Sequence, residues 1–462
     1  MLTAARLRRV YSMVASSSVD IAATGAGAGA GGIPLGPVSR VYGPETKNFY
    51  SGNPLNRISF ARDDYEFLDR ALKHKGTRFL TLRDLDVSTR KLRPEQIVSA
   101  GSGHQIKSEL AYLGYEDVKN IVGDPFSKPE KDQIKAWSSK RDAIGIGRVA
   151  TVFLGIDESA PEATHVNYKH FRGQAYFAVD VTPERVTDSG LKSSVEQLLE
   201  SKYTSSVSTT GAERSEEIDY EKAEHRNLRF GPRLSTESYA LYAQARMYID
   251  WNNRNKFCGG CGSRNMSVNG GTKLVCPSHD DGVELPFCET RGVVTNLSFP
   301  RTDTSIIVAV VNRSNDRILL GCGRRFPKGF YSCLAGFLEP AESIEDCVRR
   351  EVYEESGVTV GRVHVHSTQP WPYPANIMVG CIAEVADDTP EASKIHLGHD
   401  PELLDAQWFT FDEVRKAVHR SKQPGYRFGA TNDYPLNVPG PEAIANILID
   451  AVVSTSSSLS KI

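Results

Sequence analysis

The sequence predicts a mixed α/β (α+β) chain of two or three domains, and three observations predict it. A chain of 462 residues exceeds what one hydrophobic core usually serves. From Thr304 onward, β-type runs alternate with amphipathic helical stretches, the pattern of an α/β domain. Before that lies a cluster of four cysteines, and before the cluster a longer region that mixes strand-like and helical runs. The 40% hydrophobic and 24% charged content is that of a globular protein. No run of 18 apolar residues occurs, so neither a transmembrane helix nor a membrane partner is expected. A net charge of −2 argues against broad nucleic-acid binding but leaves room for a local basic patch.

Residues 1–47 read as a disordered N-terminal segment. Its first 19 residues carry Arg6, Arg8, Arg9 and several serines without an acid, like a transit peptide, and Ala22 to Gly32 is almost all Ala and Gly. Order is expected from Asn48, and residues 48–250 form the N-terminal α+β domain. Its strands are Arg78–Leu82, Val149–Leu154 and Ala175–Val179. Thr204 to Arg214 lacks apolar periodicity and reads as a surface insertion. Ser238 to Trp251 is an Ala-rich helix leading into the cysteines.

The C-terminal domain covers 300–453. Ser305–Val311 and Arg317–Leu320 read as strands, followed by a loop with Gly329 and Gly336. A helix then starts at Ser343, its N-cap, with Asp346 three residues on. Ile344, Val348 and Val352 recur every four residues as its buried stripe, and Gly357 ends it in a left-handed turn. Strands are expected at Arg362–His366, Ile377–Val385 and Ala406–Phe411, and a closing helix around Glu442–Val452. Residues 454–462 form a flexible Ser-rich tail ending Ser460-Lys461-Ile462. This is one conservative step from the Ser-Lys-Leu peroxisomal address, so a peroxisomal import receptor is an expected partner. The transit-like N terminus points instead to the mitochondrion, and the cytoplasm is the remaining alternative.

The cysteines at 255–292 form a separate ribbon. Cys258 and Cys261 make a C-x2-C knuckle among Gly259, Gly260 and Gly262. Cys276 and Cys288 follow 15 and 12 positions further on, completing a tetrahedral structural zinc set. His279, three residues after Cys276, is an alternative fourth ligand. Cys322, Cys333, Cys347 and Cys381 are scattered, as free thiols in a reducing compartment would be.

On the predicted helix, Glu351, Glu354 and Glu355 fall at i, i+3 and i+4, which puts three carboxylates on one face. Such a face calls for a positive group between them. A divalent cation on oxygen ligands fits, and suits chemistry on a pyrophosphate. Gly336, Glu342, Arg350, Glu351, Val352, Glu354, Glu355, Gly357 and Val358 match every fixed position of the Nudix box, G-x5-E-x7-R-E-U-x-E-E-x-G-U, where U is aliphatic. Downstream, Thr368 to Asn376 reads T-Q-P-W-P-Y-P-A-N and resembles the S-Q-P-W-P-F-P-x-S array of NADH pyrophosphatases. It departs from that array at Thr368, Tyr373 and Asn376, and the last change alters the reach of a contact. Ser51 to Arg57 and Phe153 to Glu158 resemble N-terminal motifs of eukaryotic members.

The chain is thus identified as similar to the NADH pyrophosphatase family of Nudix hydrolases, which includes enzymes that remove NAD caps from RNA. The resemblance covers roughly residues 48–453. It implies a Nudix α/β/α sandwich with a mixed sheet, hydrolysis of NADH (also NAD+) to NMNH and AMP, a homodimer, and peroxisomal residence. RNA NAD-decapping is the alternative activity, and a non-catalytic nucleotide sensor a third reading. Glu351 and Glu355, beside the backbone carbonyl of Ala335, would hold Mg2+ or Mn2+, with Glu354 and Glu384 adding to the cluster. Glu384 and Glu355 both stand as general-base candidates. Glu342 and Arg350 would brace loop against helix. Gln369, Pro370, Trp371, Pro372, Tyr373, Pro374, Ala375 and Asn376 would line the nucleotide pocket with Ala445, the aromatics stacking a base. The resemblance favours Cys288 over His279.

Overall fold

The computed structural model describes residues 48–99, 105–203, 222–228, 234–295, 298–339, 342–398, 402–423, 426 and 434–459. The N-terminal segment, the 204–214 insertion and the terminal tripeptide lie outside the described residues.

In the N-terminal domain, β1 (Arg78–Arg83) pairs antiparallel with β2 (Asp86–Lys91) and parallel with β4 (Phe171–Asp180), which pairs antiparallel with β3 (Thr151–Asp157). Alternation along these strands sends Phe79, Phe153 and Phe177 to one face, where Phe67, Leu68 and Leu72 of α1 (Tyr65–Lys73) cover them. Leu80, Leu82, Val152 and Leu154 go to the other face, beneath Tyr239, Tyr242 and Ile249 of α2 (Thr236–Arg254).

The cysteine ribbon follows α2 and carries a hairpin of β5 (Met266–Val268) and β6 (Lys273–Val275). Gly271 in its turn has φ +81°, and a Cβ there would lie 2.3 Å from the Thr151 carbonyl oxygen. Only glycine allows that approach. Phe153 donates its N–H to the Gly270 carbonyl at 2.7 Å, and the Asn252 amide to that of Gly271 at 2.8 Å. The ribbon is thereby stitched to the N-terminal domain.

The C-terminal domain is an α/β/α sandwich, as expected. Its sheet runs β10 (Val360–Trp371), β11 (Asn376–Val385), β7 (Asp303–Val311), β8 (Arg317–Gly323), β12 (Leu403–Thr410), with β9 (Leu334–Phe337) also on β7. The sheet is mixed because β7 and β11 are parallel. Ile306, Val308 and Val310 face Val348 and Val352 of α3 (Ile344–Ser356). Ile307 and Ala309 face α4 (Phe411–Ser421) and α5 (Ile444–Leu459). Two expectations change. The helix α4 replaces the end of the Ala406–Phe411 strand: Thr410 and Glu413 form a capping box that starts a helix at Phe411. Helix α5 also runs on through Ser454–Ser458, which the sequence assigned to a flexible tail.

Candidate metal centres around the glutamate helix and the ribbon

Helix α3 is set by local chemistry. Ser343 caps it, its hydroxyl accepting from the Asp346 N–H at 3.2 Å, and Gly357 closes it at φ +74°. Val348 and Val352 are fully buried, which fixes the rotation of the helix and turns the carboxylates back along β9.

The positive group among the glutamates is Arg350. Its guanidinium donates to both Glu342 oxygens at 2.7 and 2.9 Å, to Glu351 at 2.8 Å, to Glu354 at 3.0 Å and to the Phe337 carbonyl at 2.8 Å. The fork against Glu342 holds that carboxyl down to about 2 and clamps the loop to the helix, the bracing expected of this pair. Burial pushes the Glu351 carboxyl up, opposed by Arg350. The Glu351 carboxylate lies directly over Gly336, where a Cβ would sit 1.9 Å from its carboxyl carbon. The bare glycine thus makes room for it beside Ala335, which pairs with Ile307. Glu355, one turn further on, is 5% exposed. The three hard oxygen donors, two carboxylates and a carbonyl, suit a small divalent cation.

Glu384 is not brought to this group. The β7–β11 register runs unbroken to Val311↔Glu384, and Ala383 and Val385 pack on the α3 side. Strand alternation therefore sends Glu384 to the opposite face, where it pairs with Arg313 at 3.2 Å. A second acidic residue stands at the head of β12. Glu402 precedes Leu403, whose side chain meets that of Leu334 above Gly321, and its carbonyl accepts from the Arg324 N–H at 3.3 Å. Its only signal in the sequence was an acidic residue at the head of a strand.

The aromatic array is the hairpin between β10 and β11, with a cis Tyr373–Pro374 bond. Trp371 and Tyr373 do not stand free: they pack on the N-terminal core, with ring centroids 6.0 and 6.4 Å from Tyr50. Arg246 of α2 lies 4.6 Å from the Tyr373 centroid and donates to the Pro372 carbonyl at 2.8 Å. Pro370 sits within β10, paired with Ile377; Pro374 and Ala375 lie in the turn, and the Ala375 carbonyl accepts from the Asp303 N–H. Gln369 is 1% exposed. Its amide donates to the Phe49 and Glu442 carbonyls and accepts from the Ile444 N–H. It pins the array to the N-terminal domain and to the start of α5. Ala445 is likewise buried in the α5 core. Asn376 differs: its Oδ1 is buried and has no hydrogen-bond partner among the described residues.

The ribbon brings Cys258, Cys261, Cys276 and Cys288 together, their sulfurs all within 4.8 Å of one another. Cys258–Cys288 and Cys261–Cys276 are 3.8 and 3.6 Å apart. A tetrahedral zinc with Zn–S of about 2.3 Å needs sulfurs about 3.8 Å apart. His279 lies outside the group and bonds to the Ser278 hydroxyl. Hydrogen bonding with Ser263 draws the Cys261 thiol down to about 6, and burial pushes Cys276 up to about 12. The scattered Cys333, Cys347 and Cys381 are buried, which raises each to about 12 and leaves them unreactive.

A model of the NUDIX domain matches residues 302–428. NAD-capped RNA hydrolase NPY1 of Saccharomyces cerevisiae is 31% identical over 418 residues, covering 89% of this chain and 97% of the yeast protein. The NAD-capped RNA hydrolase of Schizosaccharomyces pombe is 31% identical over 413 residues, covering 87% and 92%. Human NAD-capped RNA hydrolase NUDT12 is 30% identical over 416 residues, covering 88% and 73%.

Proposed function

The chain belongs to the NAD-capped RNA hydrolase, or NADH pyrophosphatase, family of Nudix hydrolases, and from that premise we propose how its residues act. It is an NAD(H) diphosphatase: it hydrolyses the pyrophosphate of NADH and NAD+, and the same bond in an NAD cap on RNA. The observation that carries this is the placing of Glu351 over Gly336, beside Ala335 and Glu355, on a helix held by Arg350.

Glu351, Glu355 and the Ala335 carbonyl would hold Mg2+ or Mn2+, and Glu402, just before β12, would add a carboxylate. The chemistry supplied by such a cation, when bound, would be to offset pyrophosphate charge and acidify an attacking water. Glu355, shielded from solvent, would accept the proton of the attacking water, and Arg350 keeps Glu351 oriented while Glu342 anchors Arg350. The Asn376 amide meets the nucleotide. The ribbon holds structural zinc, since four sulfurs leave no open position. All four box glutamates are present, which disfavours a non-catalytic sensor.

The deciding experiment follows the products of NADH with Mg2+ or Mn2+. NMNH plus AMP is expected, and an undiminished NADH pool would sink the reading. The tail supports peroxisomal residence through an import receptor, checked by fusing a fluorescent protein to each end separately. Homodimerisation is checked by sedimentation.

A further inference from the structure

A strongly basic hairpin joins β8 to β9, the strand that carries Ala335 and Gly336. Residues 323–330 read G-R-R-F-P-K-G-F, with three cations and no acid in a chain of net charge −2. Arg324, Arg325 and Lys328 are exposed. The backbone beneath them is fixed. Phe326 and Phe330 turn inward with rings 5.3 Å apart, and Phe330 is 3% exposed. The Gly329 carbonyl accepts from the Asn437 N–H at 2.8 Å. Gly329 has φ +83° and lies against the backbone of Tyr434. Tyr434 is 50% exposed and Arg420 lies over one face of its ring, 4.3 Å from the centroid. Fixed cations beside an exposed aromatic are the means by which proteins hold single-stranded nucleic acid: charge for phosphates, a ring face for a base.

Its place relates it to the glutamates. The hairpin pairs Gly321 with Ser332 and then continues as β9 through Ala335 to Gly336. Six residues separate Gly329 from Ala335, at most about 20 Å of chain. Helix α3 returns along β9, so Glu355 lies about 6 Å closer along the helix axis to the hairpin than Glu351.

We infer that Arg325, Lys328 and Tyr434 form a track for the RNA body of a capped substrate, a contact that free NADH never makes. This rests on the diphosphatase reading above. The test compares wild type with the double variant Arg325→Glu/Lys328→Glu and with Tyr434→Leu, on free NADH and on a short NAD-capped RNA, across salt concentrations. The double variant should lose about tenfold or more in kcat/KM on capped RNA near 50 mM salt while hydrolysing NADH at the wild-type rate. Its salt slope should flatten by about 1.4, the contribution of two single-strand phosphates. Tyr434→Leu should show a smaller loss confined to RNA. Capped-RNA turnover unchanged in both variants, or an equal loss on NADH, overturns the track alone. A wild type that hydrolyses neither substrate overturns the diphosphatase reading itself.

Discussion

Gly336 joins backbone to chemistry, because any side chain there would occupy the space of the Glu351 carboxyl. Gly336→Ala should therefore depress NADH turnover more than stability, separable by kcat against thermal midpoint. Glu351→Gln and Glu355→Gln should each cut kcat by about a hundredfold or more with little unfolding, as expected when a group acting on the reacting centre is removed. Glu384→Gln should stay near wild type, while Glu402→Gln should follow the helix glutamates; the reverse ranking would return the outer carboxylate to Glu384. His225 gives a pH prediction of a different kind. Burial, helped by Arg83, holds its ring down to about 3, beside the Thr81 hydroxyl at 3.2 Å. The unfolded chain takes up this proton near 6.5 and the native fold does not, so stability falls as pH drops from about 6.5 toward 3. Denaturant midpoints at pH 6.5 and 4.5 should differ less in His225→Gln than in wild type.

Among the elements, helix α3 was legible because its information is local: cap, apolar stripe, left-handed glycine and charged face all fall within 23 residues. Ser343→Ala should cost about 1 kcal/mol in denaturant unfolding. The ribbon was legible in its cysteines, and geometry then chose Cys288 over His279. Chelation, or Cys258→Ser, should lower the thermal midpoint and leave NADH chemistry intact in whatever stays folded; an unshifted midpoint would remove the structural role of zinc. Helix α4 was missed although its Thr410–Glu413 capping box was in view, since Phe409 and Phe411 prolonged the apparent strand. Glu384 was misassigned for a different reason. Its face depends on the parallel register of β7 with β11, which no local pattern encodes.

Across the whole molecule, the least legible feature is the use of the aromatic array. The Asn48 side chain donates to the Ser367 hydroxyl and the Thr368 carbonyl across about 320 positions, and Arg246 reaches the same hairpin from α2. The residues expected to stack a base also join two domains, a role the sequence hides because contacts so distant leave no periodicity to read. Arg246→Ala should loosen this joint: limited proteolysis should open the hairpin sooner, and KM for NADH should rise through a displaced Asn376. The joint also governs how this catalyst can be divided or inherited. A gene fragment encoding only 300–453 would carry Trp371 and Tyr373 with nothing to cover them, and so would yield a sticky product. The hydrolase is therefore not a portable cassette: its upstream half must travel with it through truncation, fusion or recombination.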